Sequence, residues 1–242
     1  MVVVIVSTTL ATIVAAGCSA NGVNAPSTTP PPTSATVEGT VTSTLAGASS
    51  SVAPEPTGVP GLDDGNPFCA AWAAYSGTLQ AIGVADAFGQ LASTDLARLE
   101  LVAAAALADA VVGIGSRWPN ELVAERTVVL GDLVGPYQRR AGRALAALRG
   151  AGVTDEEIDE LRTIWLVALH ERNPEVPVLA VPPMRAELDE KVRAAAAAFD
   201  AAVTPFVDDP SLQVDSIATP LTDAYLTTTC PDLASSGVGD TM

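Results

Sequence analysis

Through the middle and C-terminal parts of this chain, apolar residues recur every three or four positions, the spacing that lines one face of an α-helix. After Asn66-Pro67, a capping residue followed by proline at the first helical position, they fall at Phe68, Trp72, Tyr75, Leu79 and Ile82. A second helix from about Asp95 carries Leu96, Leu99, Ala103, Leu107 and Val111 and stops near Gly115. A third begins at Pro119 with Leu122, Val129 and Leu133. It is broken or kinked at Gly135-Pro136, where proline removes a backbone donor, and resumes with Tyr137, Ala141, Leu145 and Leu148 as far as Gly150 and Gly152. Thr154-Asp155-Glu156-Glu157 reads as a capping box, opening a helix with Ile158, Leu161, Trp165 and Leu169 on one face, closed before Asn173-Pro174. Met184, Leu188, Val192, Ala195, Phe199, Val203 and Phe206 predict the longest helix. Thr219-Pro220 repeats the cap-plus-proline signature for a short last helix through about Thr228, while the prolines around Val176 to Val181 make that stretch an extended loop. The expectation is an all-α fold, a bundle of about six to seven helices over residues 61–234, with residues 235–242 as a disordered tail.

The first sixty positions follow a different pattern. Val2 to Ala16 form an apolar run that ends in Gly17 and Cys18. From Ser19 to about Pro60 the chain turns to Thr, Ser, Pro, Gly, Ala and Val, with Glu38 and Glu55 as its only charges. Such a segment lacks the large apolar residues that would offset its ordering entropy, so residues 18–60 are expected to be a disordered linker. As a coil it would span on the order of 40 Å.

Val14-Ala15-Ala16-Gly17-Cys18 resembles the lipobox of bacterial lipoproteins, whose usual form is Leu-Ala-Gly-Cys. The resemblance implies a signal peptide over residues 1–17 and a lipid anchor on Cys18, the palmitate-bearing new N-terminus. The domain would then be displayed on the extracytoplasmic face of the cell membrane. Two alternatives stay open. An uncleaved anchor would need about 20 apolar residues, more than Val2 to Gly17 supply; a plain secretory signal cleaved near Ala20 would leave the protein secreted. The Ala-rich helical region and an arginine-to-lysine ratio of eleven to one make the whole similar to exported lipoproteins of actinobacterial type. That is a class and carries no site residues with it.

An exported chain with Cys18 acylated leaves Cys69 and Cys230, an even pair that predicts a disulfide. The net charge of −16 makes nucleic acid an improbable partner. Charge is unevenly spread: residues 98–149 hold seven arginines against five acids, and residues 150–242 hold five basic groups against seventeen acids. Arg139, Arg140 and Arg143 make a basic helix surface that would suit anionic headgroups or a cell-wall partner, although a solvated face is the commoner use of such a run.

Chemistry-bearing motifs are absent from the pattern. His170 is the one histidine, and Pro174 stands where a zinc-protease helix would place its second ligand. The acids from Asp155 to Glu160 lack calcium-loop spacing. No nucleophile elbow or phosphate loop occurs, and no cofactor is implied. The sequence therefore points to a non-catalytic helical binding module in the cell envelope. The alternative is a carrier for a small apolar ligand or lipid, with a pocket between helices near Phe199, Phe206 and Trp165; a carboxylate-based hydrolase comes last.

Overall fold

In a computed structural model of the chain, residues 58–87, 91–172, 180–213 and 217–235 are described. Helix α2, Ser93–Ser116, is the axis on which the rest is built. From Leu99 to Ala108 its only charge is Glu100, and residues on every side of it are buried, from Leu96 and Ala97 through Ala110 to Ile114. A helix apolar all round is stable only when others enclose it. Four do so: α1 (Pro67–Ala87), α4 (Gly135–Gly150), α5 (Asp155–Glu171) and α6 (Ala186–Ala202). Among the described residues α2 is the one helix long and apolar enough to cross a membrane, with mean hydropathy 1.7 over its best window, and 72% of that window is buried inside the fold. The described residues form eight α-helices and no strand, the all-α bundle that the periodicity predicts.

Two helix starts, those of α1 and α5, follow the expected local chemistry. The Phe68 N–H donates to Asn66 Oδ1 at 3.0 Å, and Pro67, which has no N–H to leave unpaired, takes the first helical position of α1. At α5 the Glu157 N–H donates to Thr154 Oγ1 and the Thr154 N–H to Glu157 Oε2, a reciprocal capping box.

Other expectations need correction. The third helix does not start at Pro119. A 3-10 turn over Asn120–Leu122 is followed by the short helix α3 (Arg126–Val128) and a π-type turn over Val129–Leu133. The cause lies at Gly135-Pro136. Pro136 cannot donate to the preceding turn, the Val134 N–H reaches back five residues to the Val129 carbonyl at 2.8 Å, and α4 starts afresh. Gly135 keeps this join uncrowded, because a Cβ there would stand 3.0 Å from the Leu130 carbonyl oxygen and push the turn by a few tenths of an ångström. Helix α6 is not the longest, since it ends at Ala202 and leaves Val203 and Phe206 in the following loop; α2 is longer. Past α7 (Pro220–Thr229), the further helix α8 spans Pro231–Ser235 and takes in the residue expected to open the tail.

The domain also begins earlier than Gly61. The Gly58 N–H donates to the Arg172 carbonyl at 2.7 Å and the Val59 N–H to the Leu169 carbonyl at 3.0 Å, so the incoming chain caps the C-terminal end of α5. Gly58 has φ of 102° and no room for a side chain against the His170 carbonyl, while Val59 sits where any side chain at Gly77 of α1 would collide. The proposed leader, Cys18, the linker up to residue 57, residues 176–179 of the expected extended loop and residues 236–242 of the tail lie outside the described residues.

Candidate functional site

The expected basic surface on α4 is where the structure departs furthest from the sequence reading, and it is also where the fold concentrates its charge. Arg139 and Arg143 are exposed; Arg140 is not, with 3% of its surface accessible. The reason is its angular position. Arg140 shares a face of α4 with Tyr137, Ala141 and Ala144, and that face lies against α2 and α6. Arg140 is therefore corrected from a surface contact to the hub of a buried ion cluster.

Its guanidinium grips Glu100 of α2 with two parallel bonds, Nε to Oε2 at 2.6 Å and Nη2 to Oε1 at 2.9 Å. Nη1 donates to Asp209 Oδ2 at 2.7 Å, and Nη2 also donates to the Thr204 carbonyl at 3.0 Å. The cation lies over two rings, 5.3 Å from the centroid of Phe206 and 5.9 Å from that of Phe199. Arg143 reaches the same Asp209 oxygen from outside at 3.5 Å. The other oxygen, Oδ1, accepts from the backbone N–H and hydroxyl of Ser211 at 2.9 and 2.6 Å. Two carboxylates thus share one buried guanidinium, in the bidentate form that arginine's planar fork allows.

The protonation balance follows from burial and pairing. Burial pushes the Glu100 carboxyl above its ordinary range against the downward pull of Arg140. Burial also pushes Asp209 up, but the Ser211 bonds and the Arg140 charge outweigh it and leave that carboxyl lowered. Arg140 loses hydration, yet its two carboxylate partners raise its pKa overall.

Residues 203–212, the segment after α6, lie over this cluster as a strap. Phe206, Asp209 and Leu212 turn inward, while Val207, Asp208, Pro210 and Ser211 face out. Asp86 at the end of α1 accepts from the Val207 N–H at 2.8 Å, and the Tyr137 hydroxyl donates to the Leu212 carbonyl at 3.3 Å. Under the strap a cavity of about 10 Å³ remains, bounded by Ile82, Glu100, Tyr137, Arg140 and Phe206. That is room for about one water at most. Trp165, expected with Phe199 and Phe206 around an apolar pocket, belongs to the same core but does not line this cavity; it is fully buried, with its Nε1 donating to Thr78 Oγ1 at 2.9 Å.

The cysteine pair, the histidine and the turn residue Trp118 each have local partners. Cys69 and Cys230 are joined by a disulfide with Cα atoms 5.5 Å apart, as the cysteine count predicts. Trp118 is half-buried, donates to the Leu122 carbonyl at 2.9 Å and packs edge-on against Phe68. His170 has Nδ1 2.7 Å from the Leu166 carbonyl and Nε2 3.1 Å from Asp63 Oδ1, acceptors that raise its pKa. An open groove of about 260 Å³ runs between α1, α2 and α5 over Ala70, Ala74, Ala106 and Ala110, with Arg162 at its edge bonded to Asp109 at 2.6 Å. Among the described residues no group of three or more His, Cys, Asp or Glu side chains is placed to hold a metal ion.

Sequence reasoning missed Glu100, Asp209 and Glu125. The first had a signal, as a solitary acid between Leu99 and a run of apolar residues, a position that is buried and needs a cation. Asp209 and Glu125 had none, since each acts on an element distant in sequence. No family model, no curated protein and no solved structure matches the chain.

Proposed function

We propose that the chain is a non-catalytic binding module of the cell envelope, anchored by acyl groups on Cys18 and carried by the linker that follows. One observation carries the reading. Of three cysteines, Cys69 and Cys230 pair with each other, and the one left over stands where a lipobox places its acylated thiol. Disulfides persist in oxidising compartments, so the pairing and an export leader support the same placement. For the non-catalytic part, the support is that the notable acids have structural employment. Glu157 caps α5, Glu125 caps α7, and Glu100 with Asp209 neutralise Arg140. The cavity of about 10 Å³ beside Phe206 is too small for an acyl chain, so an apolar-ligand carrier would have to use the open groove of about 260 Å³ over Ala70, Ala74, Ala106 and Ala110 instead.

The test is Cys18→Ala in a host that processes lipoproteins. Radiolabelled palmitate is expected on the wild-type chain and absent from the variant, and the protein should move from membrane to soluble fractions. Membrane retention of an unlabelled variant would replace the lipid anchor with an uncleaved one. Release of both forms would make the protein secreted.

A further inference from the structure

We propose that the strap over Arg140 occupies, as a built-in stand-in, a binding site for a small aromatic carboxylate. Two guanidinium groups converge on one point: Arg140 at 2.7 Å and Arg143 at 3.5 Å from Asp209 Oδ2. With the strap lifted, Arg140 keeps Glu100 but loses the Asp209 carboxylate from Nη1, Arg143 faces the same vacated point, and Asp86, released from the Val207 N–H, is the acid that opposes an incoming anion. The two guanidinium groups draw an anion. Phe206 supplies the second half of the stand-in, a ring 5.3 Å from the Arg140 guanidinium, above a floor that includes Ile82, Ala104 and Ala144. A ligand carrying a carboxylate and a flat apolar ring would replace both groups at once. It would meet a guanidinium already oriented by Glu100, so little ordering remains to be done on binding.

The strap is suited to give way. It contains no helix of its own, most of its side chains face out, and apart from the Asp209 pair its polar ties to the bundle among the described residues are single bonds to Asp86, Arg140 and Tyr137. A largely buried two-carboxylate cluster is also a poor device for stability alone, because desolvating its charges offsets much of the Coulombic gain. Ligand affinity is then lowered by the fraction of molecules with the strap closed, and loosening the strap raises it. The inference deepens the binding reading by naming a ligand class, and it does not depend on the anchor.

The full chain is titrated calorimetrically with 3-phenylpropionate and with its neutral amide, alongside the variants Asp86→Ala and Arg143→Gln. Saturable binding of the carboxylate in roughly the millimolar range is expected, as for a fragment-sized ligand. The amide should not bind. Asp86→Ala, which both frees the Val207 N–H and removes an acid near Glu100, should tighten binding about 3–10-fold, and Arg143→Gln should weaken it by about as much. Hydrogen exchange of residues 204–212 should speed up when the carboxylate binds, because the strap is displaced. Equal binding of the amide, no saturable heat for either wild type or Asp86→Ala, or unchanged exchange over the strap would each overturn the inference. None of these outcomes bears on whether Cys18 anchors the protein.

Discussion

At the scale of single residues, the buried guanidinium of Arg140 sets the terms. It gives up hydration and recovers bonds to Glu100, Asp209 and the Thr204 carbonyl. Removing one member of such a cluster costs more than removing the members together, because the survivors stay desolvated without a partner. Arg140→Met is expected to lower stability by about 3–5 kcal/mol in urea unfolding. Glu100→Leu combined with Arg140→Met should cost less than the single change, since Asp209 keeps its bonds to Arg143 and Ser211. Glu157 is the contrasting residue. Hydrogen bonds from Lys191, from the Thr154 backbone and from Arg185 bring its carboxyl down to about 2. A carboxyl depressed on folding stabilises the native state fully above its unfolded pKa, near 4.5, and loses that contribution as pH falls toward the folded value. Glu157→Gln should therefore flatten the fall in stability between about pH 4.5 and 2, read from denaturation midpoints across that window. A variant with the wild-type slope would show that another group governs the acid limb.

At the scale of elements, what could be read from sequence was what neighbouring residues decide among themselves. The Asn66-Pro67 start, the Thr154–Glu157 box and the stripes of α1, α2 and α5 all lie within a few residues of their own cause. The end of α7 behaves differently. Thr219 looks like its cap, yet the Thr219 hydroxyl bonds to Asp223 instead. The free N–H groups of Leu221 and Thr222 donate to Glu125, at 3.0 and 2.8 Å, and the Thr222 hydroxyl joins them at 2.7 Å. Burial raises the Glu125 carboxyl, but those three donors outweigh it and lower its pKa. A carboxylate from another element at a helix N-terminus satisfies orphan donors and complements the dipole, and no local pattern announces it. Arg140 illustrates the same limit: its place on α4 was legible, whereas the packing of that face on α2 and α6 was not. Glu125→Ala should cost about 1–2 kcal/mol and speed hydrogen exchange of the first turn of α7. Substituting Thr219 by Ala should have the smaller effect.

At the scale of the whole domain, the disulfide joins the opening turn of α1 to the end of α7, across 161 positions. Its importance depends on what else holds the C-terminal elements. Helix α7 packs chiefly on the 3-10 turn at Asn120–Leu122 and on α8. Beyond that it has the Glu125 cap and the edge-on packing of Tyr225 against Phe68. The half of the core around Leu96–Ala106 of α2, by contrast, is closed by α1, α4, α5 and α6 and contains no cysteine, while the disulfide sits in the other half with Leu107, Val111 and Ile114. Two consequences separate on this account. In the chain-entropy model, a loop of this length costs about 5 kcal/mol to leave open, which for a domain of this size lowers Tm by about 10–20 °C. Before that global transition, the loss should be local, because elements with few buried apolar contacts open first. The double variant Cys69→Ala, Cys230→Ala should therefore lose exchange protection over residues 220–235 at temperatures where α2 and α4 remain protected. If protection instead fell uniformly across the domain, α7 and α8 would be integral to the core and the bond would act only on the unfolded chain. If neither protection nor Tm changed, and non-reduced mass mapping found both thiols free in the wild type, the pairing itself would be refuted.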